Sequence, residues 1–323
     1  MNMPTQDGLR EGLVFKRSLG SYWVRVDDRE VVCSVSSLLW KELQYPTADP
    51  SSIRPHVVAV SEIHKVDPVA IGDWVGFSDS GDGTGRIMQI LPRKNSLSRR
   101  APGPKPLEQV IVANLDQAVI VIATAQPTPK WHLLDRYLVS AEAAGIPALI
   151  CITKADLMND PSIAAETGNY ESLGYRAVVT SAVTCQGIGT IAECLKDKIS
   201  VFLGKSGVGK TTLLNAIQPG LGLRVNEVSM ATGKGKHTTS CLEMFELEIG
   251  GAIIDTPGIR ELGLWNIPSG DLAGLFPEMR PCLGQCRFGA DCTHTHEPDC
   301  AIKTAVAEGR IAERRYLSYV KLR

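Results

Sequence analysis

The sequence predicts a multidomain α/β chain with a small β-barrel first, a phosphate-loop domain in the middle and a Cys/His module last. Three observations predict it. Residues 12–91 alternate short strand-like runs with turn residues. Residues 111–255 alternate apolar strands with amphipathic helices around Gly204-Lys-Ser-Gly-Val-Gly-Lys-Thr211. Three cysteines and two histidines crowd into Cys286–Cys300. At 323 residues, two or three cores are expected. Lys plus Arg number 34 against 35 Asp plus Glu, so overall charge does not announce a nucleic-acid binder. No apolar run reaches the roughly 20 residues of a membrane span, and no signal pattern opens the chain. A cytoplasmic protein without membrane contact is expected.

Within residues 1–95, the runs at 12–15, 22–26, 30–35, 73–77 and 85–90 are five short strands. They fit a small closed barrel of the OB type, which serves nucleic-acid binding or a purely structural role. Residues 96–110 read as a basic linker. Arg86, Arg93, Lys94, Arg99, Arg100 and Lys105 come with no acid among them, and four prolines between 92 and 106 exclude a regular helix. Two readings stand: a solvated connector, or an arm that contacts RNA phosphates.

Residues 111–276 form the predicted nucleotide domain. Gln117–Ala123 is apolar throughout, Trp131–Ala144 has one apolar face, and Pro147–Ile152 is a second buried strand. A helix is expected near 161–173, a strand at 176–180 and a helix near 187–197. Such sheets place ligand loops at the C-terminal ends of their strands. At one end stands Thr153-Lys154-Ala155-Asp156, similar to the Asn-Lys-x-Asp motif that reads guanine. Asp156 can accept from both the ring N–H and the exocyclic amine, donors that adenine lacks, so an ATP-dependent enzyme is disfavoured. Lys154 would lie along the base, and Thr153 stands where Asn is usual. At the next end, Ser181 and Ala182 follow Thr180 as a second base-contacting loop. A helix-capping role for Asp156 is the alternative.

The strand 199–203 then enters Gly204-x-x-x-x-Gly209-Lys210-Thr211. Backbone N–H groups of Gly204, Lys205, Ser206, Gly207, Val208 and Gly209 are expected to cradle phosphates, aided by the following helix N-terminus and by Thr212 in its first turn. Lys210 would reach the β- and γ-phosphates, and the Thr211 hydroxyl would ligate Mg²⁺. The polar loop 225–240 offers Thr238 or Thr239 as a second Mg²⁺ ligand. The run Asp255-Thr-Pro-Gly258 offers an Mg²⁺-shell carboxylate and a γ-phosphate-sensing N–H. Ile259 cannot orient water, so His237 is the expected water-orienting residue, with a plain surface histidine as the alternative. Base loops precede the phosphate loop, which precedes the switches. This order predicts a circularly permuted Ras-like P-loop GTPase domain, an arrangement that compact domains tolerate.

Residues 277–323 supply Cys286, Cys292, His294 and Cys300, three thiolates and an imidazole suited to one closed structural Zn²⁺ site. Cys282 and His296 are spare donors. A single helix is expected over 300–322.

Taken together, T-K-A-D, T-S-A, G-K-S-G-V-G-K-T, G-K-H-T-T and D-T-P-G, behind a barrel and ahead of a Cys/His module, resemble the RsgA (YjeQ) family of ribosome small subunit-dependent GTPases. Arg100-Ala-Pro-Gly103, Glu108-Gln-Val110, Gly72-Asp-Trp-Val75 and His296-Glu-Pro298 extend the resemblance over nearly the whole chain. It implies GTP and GDP as ligands with Mg²⁺, and a late-assembly role on the 30S subunit. It also implies docking on 16S rRNA through barrel and zinc module, hydrolysis stimulated by the subunit, and a monomer. A nucleotide-gated RNA-binding scaffold with negligible turnover is the alternative.

Overall fold

The computed structural model describes residues 8–18, 20–44, 67–101, 108–221, 242–255 and 267–323, without the side chains of 41–44 and 255. His237, Thr238, Thr239 and Gly258 lie outside the described residues. The chain divides into two compact units. One holds the described residues up to Leu115 together with 242–246 and 252–255; the other holds 116–221, 247–251 and 267–323.

The first unit opens with β1 (Arg10–Ser18), β2 (Ser21–Val26) and β3 (Arg29–Val35), then α1 (Ser37–Gln44), β4 (Trp74–Asp79) and β5 (Thr84–Ile90). Inward residues alternate with outward ones, most cleanly in β2, where Tyr22, Val24 and Val26 are buried. β1 pairs β2 and β2 pairs β3 antiparallel, β3 pairs β5 parallel, β5 pairs β4 antiparallel, and β4 returns to β1. The circuit closes, which removes the exposed edges a flat sheet would leave. This is the expected OB-like barrel. Helix α1 was not expected; the Ser36 hydroxyl accepts the Leu39 N–H at 3.1 Å and caps its first turn.

The basic stretch contains more order than a connector. β6 (Ser96–Arg100) pairs β7 (Glu108–Ala113) antiparallel, with Leu97 opposite Val112. Asn95 and Leu115 exchange hydrogen bonds at 2.8 Å beyond the end of the pair. Arg93 grips the fully buried Asp73 with two bonds of 2.7 Å. That guanidinium is committed to the fold rather than to an RNA phosphate.

The second unit is built on four parallel strands: β8 (Gln117–Ala123), β9 (Ala148–Thr153), β10 (Arg176–Val179) and β11 (Ile199–Leu203). They lie side by side as β10-β9-β8-β11. Every residue of β8 is buried, as its continuous apolar run demands. Helix α2 (Trp131–Ala143) packs on β8 and β9, and α3 (Ser162–Ser172) packs on β10. Helix α4 (Ile188–Leu195) lies against α5 (Lys210–Ile217), which starts at the phosphate loop. β12 (Leu242–Glu246) and β13 (Ala252–Asp255) form an antiparallel pair in the first unit, where β12 pairs β1 through Lys16 opposite Glu243. Asp255 closes β13.

The single helix expected over 300–322 is two, α6 (Ala301–Ala307) and α7 (Glu313–Leu322). Gly309 ends the first with φ +74°, a left-handed stop available to glycine at little cost. α7 is held to the nucleotide unit by a buried ionic network. Asp135 of α2 is fully buried and accepts from Arg315 at 2.7 Å, Arg314 at 3.0 Å and the Tyr170 hydroxyl at 2.5 Å. Arg315 also makes two bonds to Glu278, and Arg314 one to Glu166. Burial, and then the Asp135 charge, hold the Tyr170 phenol protonated far above its ordinary value, so it stays a donor. Breaking one member of a buried ion pair leaves an uncompensated charge and costs about 3–5 kcal/mol. Asp135→Ala leaves Arg315 with Glu278 and Arg314 with Glu166 but removes three buried hydrogen bonds, and is expected to lose about 3 kcal/mol in urea unfolding of the full chain. A loss below about 1 kcal/mol would show that the network adds no folding energy.

Candidate functional site: a nucleotide cleft and a Cys/His cluster

The site begins where the parallel strands end. Residues 204–209 leave β11 and turn into α5 with φ +155°, +81° and +91° at Gly204, Gly207 and Gly209. At Gly204 the reason is contact as well as angle: a Cβ there would stand 2.5 Å from the Val121 carbonyl oxygen. A loop that turns N–H groups towards an anion must settle its carbonyls elsewhere. Lys210 Nζ donates to Gly204 O at 2.8 Å and Lys205 O at 3.2 Å. Lys154 Nζ donates to Gly207 O at 2.9 Å. Thr153 Oγ1 donates to Val208 O. Thr153 thus supplies a loop-to-loop bond of the kind expected from the usual Asn.

Lys154 itself is left-handed, at φ 59° and ψ 41°, and leads into a 3-10 turn over Ala155–Leu157. Asp156 in that turn accepts from the Ser181 hydroxyl. Ser181 Oγ in turn accepts the N–H groups of Val183 and Thr184 at 3.2 Å each. The base loops and the phosphate loop line one cleft of about 240 Å³, walled by Thr153, Lys154, Asp156, Ala182, Gly209 and Thr212 among others. The cleft has a carboxylate that can read ring donors at one end and a helix N-terminus that attracts anions at the other. Asp255 belongs to the first unit.

A model of the RsgA GTPase family matches residues 90–265, more than half of the chain. The chain belongs to the RsgA GTPase family. The small ribosomal subunit biogenesis GTPase RsgA of Gemmatimonas aurantiaca is 46% identical over 264 residues, covering 81% of this chain and 86% of that protein. The protein of the same name from Bacteroides fragilis is 34% identical over 316 residues, covering 97% and 96%. Among solved structures, YjeQ from Thermotoga maritima aligns with a TM-score of 0.71 at 30% identity over 97% of each chain. YloQ, described as a circularly permuted GTPase, aligns at 0.66 and 30%, covering 99% of this chain and 96% of that one. Membership makes the chain a GTP-hydrolysing enzyme of the permuted type, and GTP or GDP with Mg²⁺ its ligands.

The C-terminal cluster is equally definite. The donor atoms of Cys286, Cys292, His294 and Cys300 all lie within 4.8 Å of one another, and all four residues are buried. Thiolates bound at about 2.3 Å to one tetrahedral zinc stand about 3.8 Å apart. Cys286 Sγ and Cys300 Sγ are 3.8 Å apart, and His294 Nδ1 is 3.4 and 3.5 Å from the two sulfurs. The donor set is compatible with zinc, with His294 facing the centre through Nδ1. The spare donors stand aside. Cys282 is packed in the apolar core near Arg310, and His296 is exposed with its ring beside the Thr295 hydroxyl. Glu297, which the sequence offers only as the middle of His296-Glu-Pro298, braces the loop by accepting the Thr293 and Thr295 N–H groups at 2.8 and 3.0 Å. The Thr293 hydroxyl, its strongest partner, holds the carboxyl below the usual carboxylate range. Tyr316 and Tyr319 of α7 donate to the carbonyls of His294 and Thr293 at 2.9 and 2.8 Å.

Gly204→Ala is expected to weaken GDP binding at least tenfold, because the methyl meets backbone rather than a flexible side chain. Gly189→Ala, in open space within α4, is the control and is expected to leave binding unchanged. Calorimetric titration of both variants with GDP checks this, and equal affinities would contradict the crowding argument.

Proposed function

We propose that this chain is a cytoplasmic, monomeric assembly GTPase that acts late on the 30S subunit, contacts 16S rRNA and is stimulated by the subunit. The observation that carries the proposal is the convergence of T-K-A-D, T-S-A and the phosphate loop on one cleft. The relatives' names as small ribosomal subunit biogenesis GTPases support the ribosomal part. Among the described residues no helix is long and apolar enough to cross a membrane.

The division of labour follows from residue chemistry. Asp156 accepts the guanine N–H and amine, Lys154 lies along the base, and Thr153 ties the base loop to the phosphate loop. Ser181 orients Asp156, and Ala182 contributes a backbone N–H to the guanine carbonyl. Residues 204–209 and Thr212 bind phosphates, and Lys210 neutralises charge on the β- and γ-phosphates. Thr211, Asp255 and one of Thr238 and Thr239 hold Mg²⁺ and its water shell. Gly258 senses the γ-phosphate through its N–H. Mg²⁺ held by these residues would neutralise charge on the β- and γ-phosphate oxygens. His237 orients the attacking water, since Ile259 has no polar atom to do so. The four-residue unit Cys286, Cys292, His294 and Cys300 holds one structural Zn²⁺, which supplies folding energy rather than an open coordination site.

Two measurements test this reading. Phosphate release from GTP by the full chain is expected to rise at least tenfold with purified small subunits and not with large ones. His237→Ala is expected to abolish the rise while GDP binding persists. Turnover unchanged by subunits would favour the gated scaffold, and a fully active His237→Ala variant would remove the histidine from the mechanism. Elemental analysis of the purified chain is expected to find one zinc per chain, lost in Cys300→Ser. A wild-type chain that carries another metal, or none after refolding with zinc, would reject the zinc assignment.

A further inference from the structure

The residues that follow β8 belong to no nucleotide motif, yet they hold the base-reading segment in place. Thr124 is 5% exposed. Its N–H donates to the Thr153 carbonyl at 3.0 Å, and its hydroxyl donates to the Lys154 carbonyl at 2.5 Å. Two residues on, the Gln126 carbonyl accepts from Lys154 Nζ. One short segment therefore binds Lys154 at its backbone and at the tip of its side chain. Lys154 needs such support, because a left-handed backbone is unfavourable for a residue with a Cβ. Its carbonyl has one other donor, the Leu157 N–H at 2.9 Å, from the same 3-10 turn that carries Asp156. Across the segment, the Ala155 N–H donates to the Thr180 carbonyl at 3.0 Å. The peptide planes on either side of Lys154 are thus both fixed by Thr124, the second of them from the Thr180 flank as well, and Asp156 follows two residues on.

We propose that Thr124 is a positioning residue for base recognition, whose hydroxyl fixes Lys154 in its left-handed conformation and so sets where the Lys154 stem and the Asp156 carboxylate stand in the cleft. The side-chain type fits the task. A β-branched residue suits the end of a buried strand, and only threonine adds a hydroxyl donor to that shape. Valine would keep the packing and leave the Lys154 carbonyl without its second partner. Serine would keep the donor and lose only a methyl group.

The proposal rests on the cleft being a guanine site, and the experiment separates the two. Affinities of the full-length wild type, Thr124→Val and Thr124→Ser for GDP, IDP and ADP are measured by calorimetric titration. IDP lacks the exocyclic amine and so reports on one of the two bonds that Asp156 makes. The wild type is expected to prefer GDP over ADP strongly and over IDP clearly. Thr124→Val is expected to lose about tenfold in GDP affinity, the size of one buried hydrogen bond. It is expected to lose less for IDP, so that the GDP-over-IDP ratio shrinks. Thr124→Ser is expected to restore both quantities to within about twofold of wild type. A Thr124→Val variant with wild-type GDP affinity overturns the proposal. So does a loss that is equal for GDP and IDP, which would mark Thr124 as ordinary support for the fold. So does a serine variant that behaves like valine. A wild type that binds ADP as well as GDP would instead overturn the guanine reading of the cleft, whatever residue 124 does.

Discussion

The nucleotide cleft depends on where the phosphate loop puts its carbonyl oxygens. A loop can aim its N–H groups at an anion only if its carbonyls find other donors. Here Lys210 takes two, Lys154 takes a third and Thr153 takes a fourth. Two of those three residues belong to the base-reading loop. Base selection and phosphate binding are therefore not separate modules set side by side. The same side chains that define the base end hold the phosphate end in shape, so a change at residue 153 or 154 is felt at both.

Much of this was legible in the sequence, because the motifs that carry the chemistry are contiguous and the strands before them are apolar. The all-buried β8, the phosphate loop and the four clustered donors could be read from type and spacing alone. Contacts between distant segments could not. Asp135 sits on the apolar face of α2, and nothing local indicates that its partners are residues 314 and 315. Thr124 shows no motif, since its role is a bond to a carbonyl that any residue could carry. Helix α1 hid because it is short and lies between two strands of a barrel. Arg93 looked like a free basic residue because its partner, Asp73, is twenty positions away and buried. The helix break near residue 309 was readable in principle, since glycine was there to mark it.

The Cys/His cluster is part of a core as well as a ligand set. Its three cysteines pack with Phe276, Met279, Ile302, Ile311 and Tyr319, and with Val139 of α2. Two tyrosines of α7 hold the carbonyls of the loop that bears His294. The same helix presents Arg314 and Arg315 to Asp135. Whatever occupies the cluster thus steadies α7, and α7 steadies α2. Helix α2 has 13 residues and spans about 20 Å, with the Thr124–Lys130 segment at its N-terminal end.

The Asp135 network also limits how this sequence can vary. Arg315 lies over the Phe276 and Tyr170 rings, with centroids 4.7 and 5.5 Å from its guanidinium carbon, and it is bonded to two carboxylates. A lysine has neither the fork to serve both acids nor the plane to lie against the rings. A neutral residue at 315 leaves the buried Glu278 side chain without its arginine and Asp135 with Arg314 alone, and a neutral residue at 135 takes one of its two carboxylates from each arginine. Single steps away from this arrangement lead through a destabilised intermediate, whereas joint replacement by apolar residues of matching volume does not. Positions 135, 278 and 315 therefore form one unit under substitution, although more than a hundred residues separate the first from the other two.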